Sequence, residues 1–494
     1  MKSLQKYEFW LVVGSQHLYG PETLAAVERD ARTIAASLAS SPSLPCKLLF
    51  RKVATTSDEI LALFREANAS PACAGIITWM HTFSPSKMWI AGFAANRKPL
   101  LHLHTQFNRD IPWATIDMDF MNLNQSAHGD REHGFIQTRM KLARKVVVGH
   151  WQNPAVAAKI GAWMRAARAF ADGTESPVVR FGDNMRDVAV TEGNKVSAQI
   201  QFGWSVNGYG LGELARAVKD AAEADIKALL AEYRERYDLA PDLAADPVRY
   251  ARVEEQARLE LGMRSFLESK GAGAFTTTFE DLEGLPQLPG LASQRLMESG
   301  YGFGAEGDWK TAAMVRAMKI MGEGLKGGTA FMEDYTYHFE PGNELVMGAH
   351  MLEVCPSIAR TRPRIEVHAL GIGGKADPAR LVFETQTGPA IVATMLDLGD
   401  RFRLLANLVE SVEPPAPTPR LPVAKVLWKP QPSLEESARL WILAGGAHHT
   451  SFSTQATQEM LEDYARMAGV ECIVIGGRRD ALAIEAELER GMRS

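Results

Sequence analysis

The chain has 494 residues, 46% hydrophobic and 23% charged, which excludes an intrinsically disordered protein and predicts several folded domains. Its 54 Lys and Arg against 59 Asp and Glu give a formal net charge of −5, so it lacks the basic balance of proteins that bind nucleic acid or anionic membranes. The sequence has neither a secretory signal nor an apolar run long enough to span a membrane. The four cysteines lie far apart without a CxxC pair, and we therefore expect reduced thiols in a cytoplasmic protein.

The first 150 residues alternate between strand-like and helix-like segments. Helices are predicted from Pro21, from a capping box at Thr56 and Glu59, and over Arg131–Ala143. Parallel strands joined by helices form an open α/β sheet, whose ligands bind beyond the carboxyl ends of the strands. The loop 14–20 after the first strand is therefore a candidate binding site. The predicted strands are Phe9–Val13, Cys46–Phe50, Ala74–Trp79, Pro99–Leu103 and Lys145–Val148.

From about Pro154 the pattern becomes rich in helices. Val178–Arg180 and Lys195–Phe202 alternate between apolar and polar residues, as strands do. The mixture predicts a middle domain that contains both helices and strands. Its predicted helices are Leu211–Ala222, Ala224–Tyr233 and Val253–Leu267.

After Gly327 and Gly328 the predicted elements are short strands, spaced as in an antiparallel sheet or barrel. The segment 413–419 contains four prolines and is predicted to be an extended loop. The predicted strands are Leu345–Met351, Arg364–Ala369, Arg380–Thr385, Ala390–Leu396 and Arg403–Val409.

A glycine motif at residues 302–307 matches the G-x-G-x-x-G pattern of dinucleotide-binding proteins. That function requires a strand before the motif within a βαβ unit. The preceding segment, Leu291–Ser299, has a helical pattern, so we do not expect a nucleotide site there. The chain also lacks a P-loop, a G-x-S-x-G motif and an H-E-x-x-H motif, and a serine-nucleophile mechanism has no support.

Acidic residues and histidines recur beside glycines in the second half of the chain. Glu306 precedes Asp308, a predicted N-cap, and a helix N-terminus favours an ionised carboxylate nearby. Two glutamates and two histidines would form a mixed oxygen and nitrogen site suited to Mn²⁺ or a similar divalent ion. Solvated glutamates and buried structural histidines are the commoner alternative, and spacing alone does not bring these residues together. The group is Glu306, Glu333, Asp334, His350, His448 and His449.

Several long segments resemble the L-arabinose isomerase family, and together they span nearly the whole chain. They are residues 14–20, 79–85, 118–125, 275–282, 306–310, 331–338 and 446–450. The resemblance implies three domains: an open flavodoxin- or Rossmann-like parallel sheet at 1–175, a middle α/β domain at 176–326 and a β-rich, barrel-like domain at 327–494.

The resemblance also implies an aldose–ketose isomerase of arabinose catabolism that converts L-arabinose to L-ribulose and D-galactose to D-tagatose. It implies one Mn²⁺ per subunit, with Co²⁺ or Mg²⁺ as alternatives, and a homohexamer with active sites between subunits. The family's metal ligands correspond to Glu306, Glu333, His350 and His449, with His449 favoured over His448. The substrate contacts correspond to Gln16, Leu18, Tyr19, Gln125, His128, Met185, Phe279, Tyr335, Ile372 and His448.

Isomerisation explains why these residue types are needed. A carboxylate can remove the C2 proton and return a proton to C1 through a cis-enediol, which assigns acid–base work to Glu306 and Glu333. A hydride shift between C1 and C2 is the alternative route. Two other functions remain open: a related metal-dependent isomerase of another sugar, such as a 6-deoxyhexose, and a non-catalytic sugar-binding protein.

Overall fold

The computed structural model describes residues 6–493, and the chain divides into two compact units. Of the described residues, one unit comprises 6–171 together with 462–469, and the other comprises 172–461 and 470–493. None of the helices within 6–493 combines the length and the apolar character needed to cross a membrane.

The amino-terminal part of the chain forms a five-stranded sheet. All strands are parallel, in the order β2-β1-β3-β4-β5, which is the flavodoxin-like order. Its strands are β1 (Glu8–Gly14), β2 (Lys47–Ala54), β3 (Cys73–Met80), β4 (Leu100–His104) and β5 (Lys145–Val148). Its helices are α1 (Gly20–Ala39), α2 (Ser57–Ala69), α3 (Ile90–Ala95), α4 (Met118–Leu123), α5 (Ser126–Arg139) and α6 (Pro154–Glu175).

Helices on both faces explain why the central strands of this sheet are apolar throughout. Every residue of β3 is buried. On one face Trp10 packs with Phe64 of α2, and on the other the rings of Phe9 and Trp163 lie 5.3 Å apart. The five predicted strands are confirmed. The predicted cap at Thr56 is also confirmed, because its side chain accepts a hydrogen bond from the backbone N–H of Glu59.

The central part of the chain contains a parallel four-stranded sheet in the order β10-β9-β6-β7. A smaller sheet, β14-β13-β8, lies in the same unit. The central strands are β6 (Val178–Phe181), β7 (Val206–Tyr209), β8 (Asp238–Leu239), β9 (Ala274–Thr276) and β10 (Gly302–Gly304). The central helices are α7 (Lys195–Phe202), α8 (Leu211–Lys219), α9 (Glu223–Arg236), α10 (Pro241–Ala245), α11 (Pro247–Ser269), α12 (Gly290–Glu298) and α13 (Trp309–Gly322).

One prediction for this region was wrong. Lys195–Phe202 is helix α7 rather than a strand, because Asn194 caps its start and Gly203, with a φ of 78°, ends it in the left-handed region. The glycine motif at 302–307 does begin on a strand, β10. Its glycines allow close packing against α13, since a Cβ on Gly302 would lie 2.1 Å from the carbonyl oxygen of Ala312.

The carboxyl-terminal part of the chain is a β-barrel with added helices. Six strands pair in the order β15-β18-β11-β12-β17-β16, and the pairing of β15 with β16 closes the ring. Strand β19 extends β16 in parallel outside that ring. The strands are β11 (Thr329–His338), β12 (Leu345–Ala349), β13 (Arg364–Val367), β14 (Ala379–Val382), β15 (Gly388–Asp397), β16 (Phe402–Val412), β17 (Lys425–Pro430), β18 (His449–Ser453) and β19 (Glu471–Ile475). The helices are α14 (Leu434–Leu443), α15 (Gln458–Ala468) and α16 (Ala481–Arg493).

The predicted fold class is confirmed: an open parallel sheet, a central α/β domain and a β-rich, barrel-like domain. The prolines of 413–419 lie in the loop between β16 and β17, as predicted. Strands β11, β17, β18 and β19 were not predicted, and two of them carry candidate ligands.

Candidate active site

Strand register in the barrel brings three candidate ligands together. Glu333 on β11 lies directly opposite His449 on β18. Glu333 also lies opposite Ala349 on β12, and His350 is the next residue along the chain. Glu333 Oε1 is 3.2 Å from His449 Nε2 and 3.4 Å from His350 Nε2. These three side chains therefore form one cluster.

Glu306 joins this cluster from the loop between β10 and α13. Its Oε2 lies 3.7 Å from His449 Nε2. Glu306 has a φ of 57°, in the left-handed region that non-glycine residues rarely adopt, and Gly307 follows with a φ of 79°. Such backbone strain costs about 1–3 kcal/mol and is concentrated at functional sites. Here it directs the Glu306 carboxylate toward the histidines.

Two further carboxylates contact the Nδ1 atoms of the two histidine rings. His449 Nδ1 lies 3.0 Å from Asp308 Oδ2, and His350 Nδ1 lies 2.5 Å from Glu353 Oε2. An ionised carboxylate only accepts hydrogen bonds, so each Nδ1 must carry the proton. Each Nε2 faces Glu333 Oε1, and loss of its proton would leave a lone pair directed at that point. This carboxylate–histidine arrangement is the one that orients histidine ligands around metal ions.

Asp308 has a second role as the cap of α13. Its side chain accepts hydrogen bonds from the backbone N–H groups of Lys310 and Thr311. The predicted N-cap is therefore confirmed. Burial disfavours the ionised form of Asp308, but the charge of Lys310 and the hydrogen bond from His449 outweigh it and lower its pKa. Asp308 thus remains a carboxylate inside the protein.

The two glutamates of the cluster differ electrostatically. Burial raises the pKa of Glu306 above its ordinary value. Burial also opposes ionisation of Glu333, but the charges of His350 and His449 outweigh that effect and hold its pKa below the ordinary value. Glu306 therefore takes up a proton more readily than Glu333 does.

The two adjacent histidines, His448 and His449, have different surroundings. His448 is exposed overall, but partial desolvation of its ring lowers its pKa, and the charge of His449 lowers it further. Burial opposes protonation of His449 as well, but Asp308 and Glu333 raise its pKa to about 9. Only His449 is held by a carboxylate at Nδ1. His448 nevertheless lies near, because Glu306, His448 and His449 each place a donor atom within 4.8 Å of one another.

Candidate substrate residues of the same compact unit surround this cluster. The ring of Phe279 lies 6.0 Å from that of His350, and Met185 donates its backbone N–H to the carbonyl oxygen of Glu306. Tyr335, half exposed, lies two residues beyond Glu333 at a bulge in β11, and burial together with the charges of Glu333 and Glu306 raises the pKa of its hydroxyl. Ile372 precedes Gly373, which approaches the carbonyl oxygen of Phe279.

The other candidate substrate residues form a separate cluster in the amino-terminal unit. Gln125 Nε2 donates to the hydroxyl of Tyr19 across 3.0 Å, and Gln125 Oε1 lies 3.1 Å from His128 Nδ1. Gln16 and Leu18 lie in the loop after β1, where Leu18 is 83% exposed. Strands β1 and β3 flank the switch point of this sheet, where ligands of such folds bind.

The similarity of this chain to known proteins extends over nearly its whole length. Family models of the L-arabinose isomerase N-terminal, central and C-terminal domains match residues 3–175, 177–324 and 328–471. The L-arabinose isomerase of Geobacillus thermodenitrificans (strain NG80-2) is 61% identical over 489 residues, or 99% of this chain and 98% of that protein. The L-arabinose isomerase of Anoxybacillus flavithermus (strain DSM 21510 / WK1) is 62% identical, with coverage of 99% and 97%. That of Thermotoga sp. (strain RQ2) is 60% identical, with coverage of 99% and 98%.

The chain belongs to the L-arabinose isomerase family. The resemblance inferred from its motifs is confirmed, and the chain is an isomerase.

The L-arabinose isomerase motifs did not predict the contacts that orient the histidines. Asp308 was predicted only as a helix cap, and Glu353 was not singled out. Glu353 lies three residues after His350, and a carboxylate at that short spacing was the one signal available in the sequence. No comparable signal linked Asp308 to His449, because their contact depends on how β18 packs beside α13.

Proposed function

We propose that this chain converts L-arabinose to L-ribulose, and D-galactose to D-tagatose, by moving the carbonyl group from C1 to C2. The observation that carries the proposal is the position of Glu333 Oε1, within 3.4 Å of the Nε2 atoms of both His350 and His449. Two carboxylates and two oriented imidazoles supply acid–base groups and metal ligands at one point. The names of the relatives favour L-arabinose over a 6-deoxyhexose as the substrate.

We infer that the cluster holds one divalent ion per subunit, Mn²⁺ first, with Co²⁺ and Mg²⁺ as alternatives. The ligands would be Glu306, Glu333, His350 and His449. The donor set fits, because His449 Nε2 is buried and has no hydrogen-bond partner. Mixed carboxylate and imidazole ligands suit ions such as Mn²⁺. When bound, the ion would polarise the sugar carbonyl and stabilise the negative charge that develops on its oxygen.

The protein's own groups account for the proton transfers. One carboxylate removes the proton from C2 of the open-chain sugar and returns a proton to C1 on the same face through a cis-enediol, while a second acid–base group moves the hydroxyl proton from O2 to O1. Glu306, whose pKa burial raises, is suited to carry that proton. Glu333, whose pKa the histidines lower, is suited to remain an anion beside them.

We assign substrate binding to two groups of residues. Met185, Phe279, Tyr335, Ile372 and His448 would contact the sugar beside the proposed metal cluster. Gln16, Leu18, Tyr19, Gln125 and His128 would contact it from the amino-terminal sheet of a neighbouring copy, in a cytoplasmic homohexamer. Exposure of Leu18 and the polar network of Gln125 support an open surface there that a second subunit would complete.

A ketose-formation assay tests this function. We expect conversion of L-arabinose to exceed that of other pentoses and hexoses, to disappear after dialysis against EDTA and to return with Mn²⁺. Sugar binding without turnover at any metal concentration would instead indicate a non-catalytic sugar-binding protein.

A further inference from the structure

A single buried carboxylate ties helix α5 to two strands of the amino-terminal sheet. Asp130 Oδ1 accepts the backbone N–H of Met80 at 3.0 Å and lies 2.9 Å from His102 Nε2. Its Oδ2 lies 2.8 Å from His104 Nδ1. Asp130 is only 3% exposed. Because the ionised carboxylate only accepts, both imidazoles donate, and α5 is held to the end of β3 and to β4 at once.

The first turn of α5 packs very closely against the segment that follows β3. A Cβ on Gly129 would lie 2.5 Å from the carbonyl oxygen of Thr82, so only glycine permits this approach. The backbone N–H of Gln125 donates to the carbonyl oxygen of His81, and the indole N–H of Trp79 donates to Ser126 Oγ. The position of this turn is therefore fixed by several directed contacts around Asp130.

That turn carries two of the residues assigned to the sugar. Gln125 immediately precedes α5 and His128 lies within its first turn, on the exposed side. Gln125 contacts both Tyr19 and His128, and the His128 ring lies 4.9 Å from that of Phe83. Asp130 lies on the opposite, buried side of the same turn. A shift of α5 would move Gln125 and His128 together.

We propose that Asp130 is a positioning residue for sugar binding, which fixes Gln125 and His128 through the contacts of its carboxylate with Met80, His102 and His104. The proposal rests on the proposed function, in which Gln125 and His128 contact the sugar. Asp130 itself is buried and touches no substrate.

The test uses two variants that retain most of the buried packing. In Asp130→Asn one of the three donors meets the amide NH2 group instead of a carboxylate oxygen, so the charge-assisted hydrogen bonds of the cluster are lost or reversed. In His104→Ala the lost side chain is 30% exposed, which limits the damage to folding. In each full-length, Mn²⁺-loaded variant we expect the KM for L-arabinose to rise about tenfold while kcat changes less than about threefold. Mn²⁺ affinity, measured by calorimetry, should stay at its original value.

A double-mutant cycle separates positioning from a general loss of stability. If Asp130 acts through Gln125 and His128, adding Asp130→Asn to a variant that already carries Gln125→Ala and His128→Ala should leave KM unchanged. Asn68→Ala is the matched control, because Asn68 joins α2 to Ala95 and Arg97 by two hydrogen bonds that do not involve α5. It should lower the melting temperature without changing KM.

Two results would overturn the inference in distinguishable ways. Unchanged KM in Asp130→Asn and His104→Ala, or independent effects in the cycle, would refute the role of Asp130 while leaving the proposed function intact. Unchanged KM in Gln125→Ala and His128→Ala would remove those residues from the sugar site, and the inference would fail with that part of the proposed function.

Discussion

His449 Nδ1 and Asp308 Oδ2 lie 3.0 Å apart, although the two residues are separated by 141 positions in the chain. The contact joins the first residue of β18 to the cap of α13. The Asp308 carboxylate therefore caps the start of helix α13 and also orients the imidazole of His449. The local fold of the central domain thus determines the geometry of the proposed metal cluster. A substitution that keeps the helix cap but removes the charge can therefore distinguish the two roles of Asp308.

Asp308→Asn should separate the two roles. Asparagine caps helices as well as aspartate does, so the melting temperature should fall less than in Asp308→Ala, although both variants leave buried Lys310 without its ion-pair partner. The neutral amide no longer holds His449 with a charge-assisted hydrogen bond, and loss of such a partner typically costs about 10–100-fold in metal affinity. Mn²⁺ titration by calorimetry measures the effect. Asp308→Ala is the comparison, since it should lose both affinity and stability. Unchanged affinity in Asp308→Asn would show that the charge of Asp308 does not matter to the ion.

Removal of the ion and loss of either glutamate should abolish turnover by different routes. We expect dialysis against EDTA to remove activity reversibly, with recovery in Mn²⁺. Glu306→Gln and Glu333→Gln should stay inactive in saturating Mn²⁺, because acid–base help alone contributes about 10²–10⁴-fold. Initial rates of L-ribulose formation provide the measurement. Activity near that of the parent in either variant would remove the role assigned to that glutamate.

The adjacent histidines should give different defects. His449→Asn should weaken Mn²⁺ binding, because His449 is fully buried and its Nε2 faces both glutamates. His448→Asn should leave Mn²⁺ affinity nearly unchanged and mainly reduce turnover, because His448 is exposed and no carboxylate holds its ring. Metal titrations and steady-state kinetics on both variants test this assignment. The reverse pattern would make His448 the metal ligand and His449 the substrate contact.

The sequence predicted the amino-terminal sheet well, for a physical reason. Buried parallel strands are continuous apolar runs, and the predicted strand Ala74–Trp79 lies within β3, every residue of which is buried. Strand β11 was missed because it carries Glu333 and Asp334 between its apolar residues and ends in polar positions. Alternation in Lys195–Phe202 was misleading, because the capping residues at either end favoured a helix more strongly than the pattern favoured a strand.

The residue types of the ligands were predicted from the sequence, but their proximity in the folded chain was not. Spacing could not place His350 and His449 together, because that requires the pairing of β11 with both β12 and β18. The family resemblance supplied the list of residues, and strand register supplies the reason why Glu333 lies between the two histidines. Side-chain contacts such as His350 with Glu353 depend on rotamers, which the sequence does not specify.

A buried charge network in the central domain should dominate the stability of that region. Arg295, 3% exposed, contacts Glu260, which is fully buried, and the hydroxyl of Tyr237. Arg295→Met leaves a buried carboxylate undercompensated, which typically costs about 3–5 kcal/mol. Arg360→Met is the control, since its partner Glu413 is exposed and such pairs contribute about 0–1 kcal/mol. Apparent melting temperatures at one scan rate compare the two, and equal shifts would contradict the assignment.

The last prediction concerns a site shared between subunits. Glu306→Gln should be inactive because the acid–base group is lost, and His128→Ala should have a low rate at L-arabinose concentrations far below KM because a sugar contact is lost. If neighbouring copies supply the two groups, each parent homo-oligomer carries one defect at every site. Oligomers that contain both variants would then hold some sites with an intact Glu306 from one subunit and an intact His128 from its neighbour.

Subunit mixing measures this directly. The two variants are dissociated, combined and reassembled, and mixed oligomers are verified by native mass spectrometry. Random mixing in equal amounts should restore activity to about one quarter of the wild-type value, since both subunits that form a site must be of the right type. Reassembling each variant with itself controls for recovery caused by the procedure. Verified mixed oligomers that remain as inactive as their parents would show that each subunit builds its site alone.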